Sequence, residues 1–129
     1  MVRSVHVQDV PHHVNPVPHA AVHRGFVASS AIMGMDAATR KFPATKEEQI
    51  ALAFRNLRSV IAASGATPQD VIKLTLYFAD KNDRPLVNPH WIELYPDENA
   101  RPARHALPGG ELPPGCVLQI EFLAVIGGQ

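Results

Sequence analysis

Two polar side chains stand two residues apart near the end of the chain, in Cys116-Val117-Leu118-Gln119-Ile120-Glu121-Phe122-Leu123-Ala124-Val125-Ile126. A strand sends alternate side chains to opposite faces, so Gln119 and Glu121 share a face with Val117, Leu123 and Val125. The other face is apolar throughout. A carboxylate at such a place can take and return a proton, whereas an amide can orient a water but cannot accept its proton. If this face is buried, both groups need partners, because an unpaired buried carboxylate is very costly. Arg104 offers one, as a structural ion pair with Glu121. Glu121 is alternatively an acid–base group or an interface carboxylate paired to Arg or Lys.

The seven histidines raise a metal reading through His12-His13 and the pair His19 and His23. Zinc wants three or four ligands converging from ordered elements. These lie partly in a proline-rich stretch, Pro11 to Pro18, at no recognisable spacing, so no metal is assigned. His105 follows Arg104 along a strand and therefore points to the opposite face. Cys116 is the only cysteine. It can form neither an internal disulfide nor a cysteine-based zinc site, and reads as a small apolar core residue. Ser30 reads as a strand-end polar group and Asn88 as a helix cap.

These residues need a scaffold. The 129 residues are enough for one domain, 1–129, with a real core. Twelve basic and twelve acidic residues cancel, which removes the cationic footprint of a nucleic-acid-binding module. No apolar run approaches the ~20 residues needed to cross a bilayer, and the N-terminus lacks a signal-peptide core. A cytoplasmic location without nucleic acid or membrane partners is the expectation.

Residues 2–7 alternate weakly and predict a first strand. Ala20–His23 and Phe26–Ile32 flank Arg24-Gly25 and predict a hairpin, followed by a loop from Met33 to Lys41. Thr45 and Glu48 form a capping box ahead of Ile50, Phe54, Leu57 and Ile61, with Gly65 as the left-handed exit. In the run Val71–Ala79, the even positions Ile72, Leu74, Leu76 and Phe78 form an apolar face to lie under that helix. Asn88-Pro89 opens a second helix as cap and first residue, because Pro89 would break one begun at Asp83. A short strand over 103–107, the proline–glycine turn 107–115 and the last strand complete an α+β chain. Both helices cover one sheet face, so the semi-polar face is left for another subunit.

Five stretches, in order, resemble the RidA/YjgF family of enamine and imine deaminases. Asn15-Pro16-Val17-Pro18-His19-Ala20 resembles its G-P-Y-S-x-A opening, and Phe26-Val27-Ala28-Ser29-Ser30 its strand ending in Ser-Gly. Asp70–Tyr77 resembles D-V-V-K-x-T-V-Y/F, and Asn88 the helix-opening Asn. Arg101-Pro102-Ala103-Arg104 with Leu118–Val125 resembles P-A-R followed by V-x-I-E-x-I-A-V. The likeness spans about residues 15–126.

The resemblance implies a chorismate-mutase-like mixed sheet with two helices on one face. It also implies a homotrimer with a central barrel and pockets at subunit interfaces. It makes Arg104 the grip for a small substrate carboxylate, a task suited to a rigid two-pronged guanidinium, and brings Ser30 and Asn88 near the pocket. The implied reaction hydrolyses a C=N bond to ammonia and a 2-oxo acid without metal or cofactor. Departures accompany the match. Gln119 stands where the family carries Glu, with Glu121 at its second acidic position. Val17 replaces Tyr, Ala106 replaces a frequent Cys, Ala31 replaces Gly, and Pro108-Gly109-Gly110 looks like an insertion. Three functions follow as expectations: an imine or enamine deaminase, with Gln119 and Glu121 as the catalytic pair; a non-catalytic trimeric binder of small carboxylates; and, disfavoured by the neutral charge, an endoribonuclease.

Overall fold

The structure, a computed structural model, describes residues 1–127. Its strands are β1 (Arg3–Val5), β2 (Ala20–His23), β3 (Phe26–Ser29), β4 (Ile32–Met33), β5 (Val71–Phe78), β6 (Ala103–Pro108) and β7 (Leu118–Val125). Its α-helices are α1 (Lys46–Ala63) and α2 (Asn88–Leu94). The strands form one mixed sheet in the order β1-β2-β3-β7-β5-β6, with β4 also paired to β7. Only β5 and β6 run parallel; every other pair is antiparallel. This is the expected α+β architecture. Among the described residues, no helix is long and apolar enough to cross a membrane.

Helix α1 forms where the cap and the apolar spacing require it. The Glu48 N–H donates to Thr45 Oγ1 at 3.1 Å. The Glu48 carboxylate accepts from the Thr45 hydroxyl at 2.9 Å, whereas a capping box would use the Thr45 N–H. Gly65, at φ +86°, turns the chain out as expected. Ile50, Ala53, Phe54, Leu57, Val60 and Ile61 are buried against Leu74, Leu76, Phe122 and Ala124. Each large side chain removed from water in this way contributes about 1.5–3 kcal/mol. Two polar residues interrupt that stripe. Gln49 donates to the Gly115 carbonyl at 3.0 Å and accepts from the Val117 N–H at 2.7 Å, and Asn56 donates to the carbonyls of Met33 and Met35. They are buried because they tie irregular chain to the helix.

Four details depart from the sequence expectations. The run Phe26–Ile32 is two strands, because Ser30 turns inward: its N–H donates to the His19 carbonyl and its hydroxyl to the Pro18 carbonyl. The Ser29 hydroxyl accepts the Phe122 N–H that would otherwise be orphaned between β3 and β4. Met33, expected in a loop, therefore pairs with Gln119. A bulge between Val71 and Lys73 shifts the first residues of β5, so Val71 is buried and Ile72, expected in the core, is half exposed. A 3-10 helix over Lys81–Val87 leads directly into α2, so Asn88 is a helical residue and not the cap. The last strand begins at Leu118, with Cys116 buried in the preceding turn.

Both helices lie on one face. The rings of Phe54 in α1 and His90 in α2 stack with centroids 5.2 Å apart, and Arg58 pairs with Glu93 at 3.1 Å. The opposite face carries Phe26, Leu123 and Val125, which are 58%, 39% and 37% exposed. No element of the described chain covers them.

Candidate functional site

Arg104 sits on β6 directly beside Leu74 of β5, so its side chain rises on the helix-bearing face at the sheet edge. There Nη1 donates to Asn88 Oδ1 at 2.9 Å, and the guanidinium carbon stands 5.3 Å from the Trp91 ring centroid. Asn88 is free for this because the preceding 3-10 helix has removed the need for a side-chain cap. Trp91 lies three residues further on, on the same side of α2. Its ring meets Tyr95 edge-on at 5.1 Å, and the Tyr95 hydroxyl donates to the Pro68 carbonyl at 2.9 Å. Burial raises the Tyr95 phenol to about 12, so it stays a donor.

The result is a fixed cation held by neutral groups. An amide oxygen and a ring face orient the guanidinium without cancelling its charge. Among the described residues, no carboxylate lies within salt-bridge distance of it. Burial lowers the Arg104 pKa, but a guanidinium so placed remains charged at neutral pH. An ion pair with Glu121, the alternative role for Arg104, is absent within one copy, for a geometric reason. Arg104 and Phe122 flank Leu74 on one face, whereas Glu121 and His105 flank Thr75 on the other.

On that second face Glu121 accepts a hydrogen bond from the Tyr77 hydroxyl at 2.9 Å. This bond holds the Tyr77 phenol above its ordinary pKa, so the proton stays on tyrosine. Within one copy the partner of Glu121 is this tyrosine. Gln119 shares the face, opposite Tyr77 and Met33, and its amide lies 3.5 Å from the Met33 sulfur. His105 is exposed on this face, as its place after Arg104 requires.

The remaining candidates divide between the two faces and the opening loop. Ala106 is half-buried on β6, two residues from Arg104 and on its face. Val17 is 43% exposed in the proline-rich segment, which the Ser30 hydroxyl ties to β3 through Pro18. Thus one copy brings together Arg104, Asn88 and Ala106, and separately Ser30 and the Val17 segment. It does not bring Arg104 to Gln119 or Glu121. His19 is buried with both ring nitrogens engaged, accepting from the Val7 N–H and donating to the Pro11 carbonyl. The described residues contain no cluster of three or more His, Cys, Asp or Glu side chains that could hold a metal ion. Burial raises the Cys116 thiol, as in an inert core cysteine. Sequence reasoning missed Trp91 and Tyr77. Helical spacing from Asn88 was the available signal for the first, and the alternation of β5 for the second.

The family model described as Endoribonuclease L-PSP matches residues 8–126. The chain belongs to this family, RidA/YjgF. A RutC family protein of Haemophilus influenzae is 28% identical over 127 residues, covering 97% of this chain and 98% of that protein. The 2-iminobutanoate/2-iminopropanoate deaminase of Dermatophagoides farinae is 31% identical over 119 residues, 90% of each chain. The crystal structure of E. coli TdcF with bound serine superposes with a TM-score of 0.86 at 25% identity, covering 97% of this chain and 99% of that one. The RidA/YjgF fold and family resemblance inferred from five short motifs are therefore correct.

Proposed function

We propose that this RidA/YjgF chain is a deaminase of small carboxylate-bearing imines. It acts as three copies closed around their bare sheet faces, and each site takes Arg104, Asn88 and Ala106 from one copy and Ser30, Val17 and Gln119 from the next. One observation carries this reading: a guanidinium oriented by Asn88 and Trp91, with its charge uncancelled, on the face opposite Gln119. An intermolecular seam is the arrangement that lets the two faces meet. The exposed Phe26, Leu123 and Val125 supply apolar area for such a seam. Support also comes from the deaminase named among the relatives, and from TdcF, whose bound serine carries the α-carboxylate that Arg104 suits.

The chemistry is an addition followed by an elimination. Water adds to the imine carbon, forming a C–O bond while the C=N π pair goes to nitrogen and is protonated. The hydroxyl proton then moves to nitrogen and its O–H pair forms the C=O bond as the C–N pair leaves with nitrogen, releasing ammonia and a 2-oxo acid. Gln119 orients the water but takes no proton, so that proton passes to the substrate's own nitrogen. The Glu121 carboxylate lies two residues away on the same face and makes the site more negative, favouring cationic iminium over neutral imine. A second reading is a carboxylate binder without catalysis. It is favoured by the amide at position 119, which cannot take a proton from water.

The test uses 2-iminobutanoate generated in situ from threonine by a dehydratase. The chain should speed formation of 2-oxobutanoate above the spontaneous rate, and Arg104→Met should abolish the gain. Light scattering should give three times the chain mass. Arg104-dependent binding of 2-oxobutanoate without rate acceleration selects the binder, and Gln119→Glu should then raise the rate. A monomer with neither activity nor binding overturns both readings.

A further inference from the structure

The histidines of the proline-rich segment have no part in that site. His12 and His13 instead border a second cavity, about 300 Å³ in volume, between residues 10–14 and the chain around β4. None of Arg104, Asn88, Ser30, Gln119 or Glu121 lines it. Its walls are chiefly apolar, from Val10, Ile32, Met33 and Met35, and Arg40 brings a cation to them. Desolvation and the neighbouring His19, Arg40 and His12 lower the His13 pKa, so that imidazole adds no second charge at neutral pH.

Arg40 is held in an unusual way. Its φ of +58° lies in the left-handed region that favours glycine. The loop imposes that conformation. Asp36 Oδ1 accepts the N–H groups of Ala38 and Thr39, both at 2.9 Å, and the Asp36 carbonyl accepts the Arg40 N–H at 2.8 Å. The Arg40 side chain then crosses to the proline-rich segment, where Nη1 donates to the His12 carbonyl at 3.0 Å. That contact orients the guanidinium and leaves its charge intact. No carboxylate among the described residues lies within salt-bridge distance, and the Nε–Nη2 edge makes no hydrogen bond within them. A left-handed backbone thus holds an exposed, uncancelled cation at the edge of an apolar cavity, an arrangement suited to a ligand with one negative charge and an oily body.

We propose that this cavity binds a small aliphatic carboxylic acid, its carboxylate gripped by the Nε–Nη2 edge of Arg40 and its chain lying among Val10, Ile32, Met33 and Met35. A single guanidinium without a helix N-terminus or second cation suits a monoanion better than a phosphate. A cavity of about 300 Å³ has room for a short aliphatic chain such as that of octanoate.

Calorimetric titration of the full chain with butanoate, hexanoate and octanoate tests this, together with backbone amide spectra. Affinity should rise along the series, with octanoate at least about tenfold tighter than butanoate. Amide shifts should concentrate at residues 10–14 and 36–41. Arg40→Gly relieves the backbone strain and should melt no earlier than the parent, yet lose octanoate affinity at least about tenfold. Arg40→Gln, which keeps a donor for the His12 carbonyl, should lose it as well, and Arg104→Met should leave it within about twofold. The inference is overturned if octanoate gives no heat or shift at about 10 mM, or if the series is flat. Undiminished binding in both Arg40 variants, or shifts confined to the surroundings of Arg104, overturns it equally.

Discussion

Replacing Asn88 by Asp separates a structural role for Arg104 from a binding role, because the two change in opposite directions. The substitution is nearly isosteric and leaves an oxygen where Oδ1 now accepts from Arg104 Nη1 at 2.9 Å. It turns an amide contact into an ion pair. Two unit charges about 4 Å apart attract by about 4 kcal/mol at an effective dielectric constant of 20. Arg104 is only partly buried, so solvent screening and the desolvation of a new carboxylate leave about 1 kcal/mol of net stabilisation. The same carboxylate occupies the guanidinium and repels an incoming anion. Losing a charge-assisted contact worth about 1.5–3 kcal/mol weakens carboxylate binding by about 10- to 150-fold. Urea unfolding measures the first effect. Fluorescence of Trp91, the only tryptophan in the chain, measures the second during titration with 2-oxobutanoate. Asn88→Asp should therefore unfold at higher urea and bind more weakly. If binding is unchanged, Arg104 is not the anion grip; if stability falls, the charge of Arg104 is already satisfied and the geometric argument fails.

Other perturbations test how the scaffold holds its sites. Gly34→Ala should cost about 1–3 kcal/mol by chemical denaturation, because a Cβ there collides with the α1 backbone at Gln49, and full stability in this variant would refute the close approach. Gln49→Leu strands the buried Gly115 carbonyl and Val117 N–H, and should cost about 1–3 kcal/mol in the same assay. His13 has a pKa lowered in the folded chain, chiefly by burial, so the unfolded chain binds its proton first as pH falls. Its contribution is complete above about pH 6.5 and lost as the pH falls through the lowered value; the thermal midpoint of His13→Phe should therefore fall less between pH 7 and 5 than that of the parent.

Much of this protein is legible in its sequence. Helix α1 announced its start at Thr45, its apolar stripe and its exit at Gly65, because these depend on chain-local hydrogen bonding and a 3.6-residue period. The β2–β3 hairpin, the alternation of β7 and the family were legible for the same reason: local periodicity and short motifs survive in one dimension. Separation of residues in space was not. Arg104 and Glu121 look like partners in the sequence and lie on opposite sheet faces, because registers across β5 put them beside Leu74 and Thr75 in turn. Ile72 looked like core until a bulge exchanged it for Val71. Asn88 looked like a cap until the chain entered α2 already helical, which released its amide to Arg104. Arg40 lies in a loop as the sequence predicts, but its left-handed φ, imposed through Asp36, left no mark in the sequence. Sequence determines which groups a strand or helix can offer; pairing register and loop closure, set by contacts far apart along the chain, decide which of those groups meet.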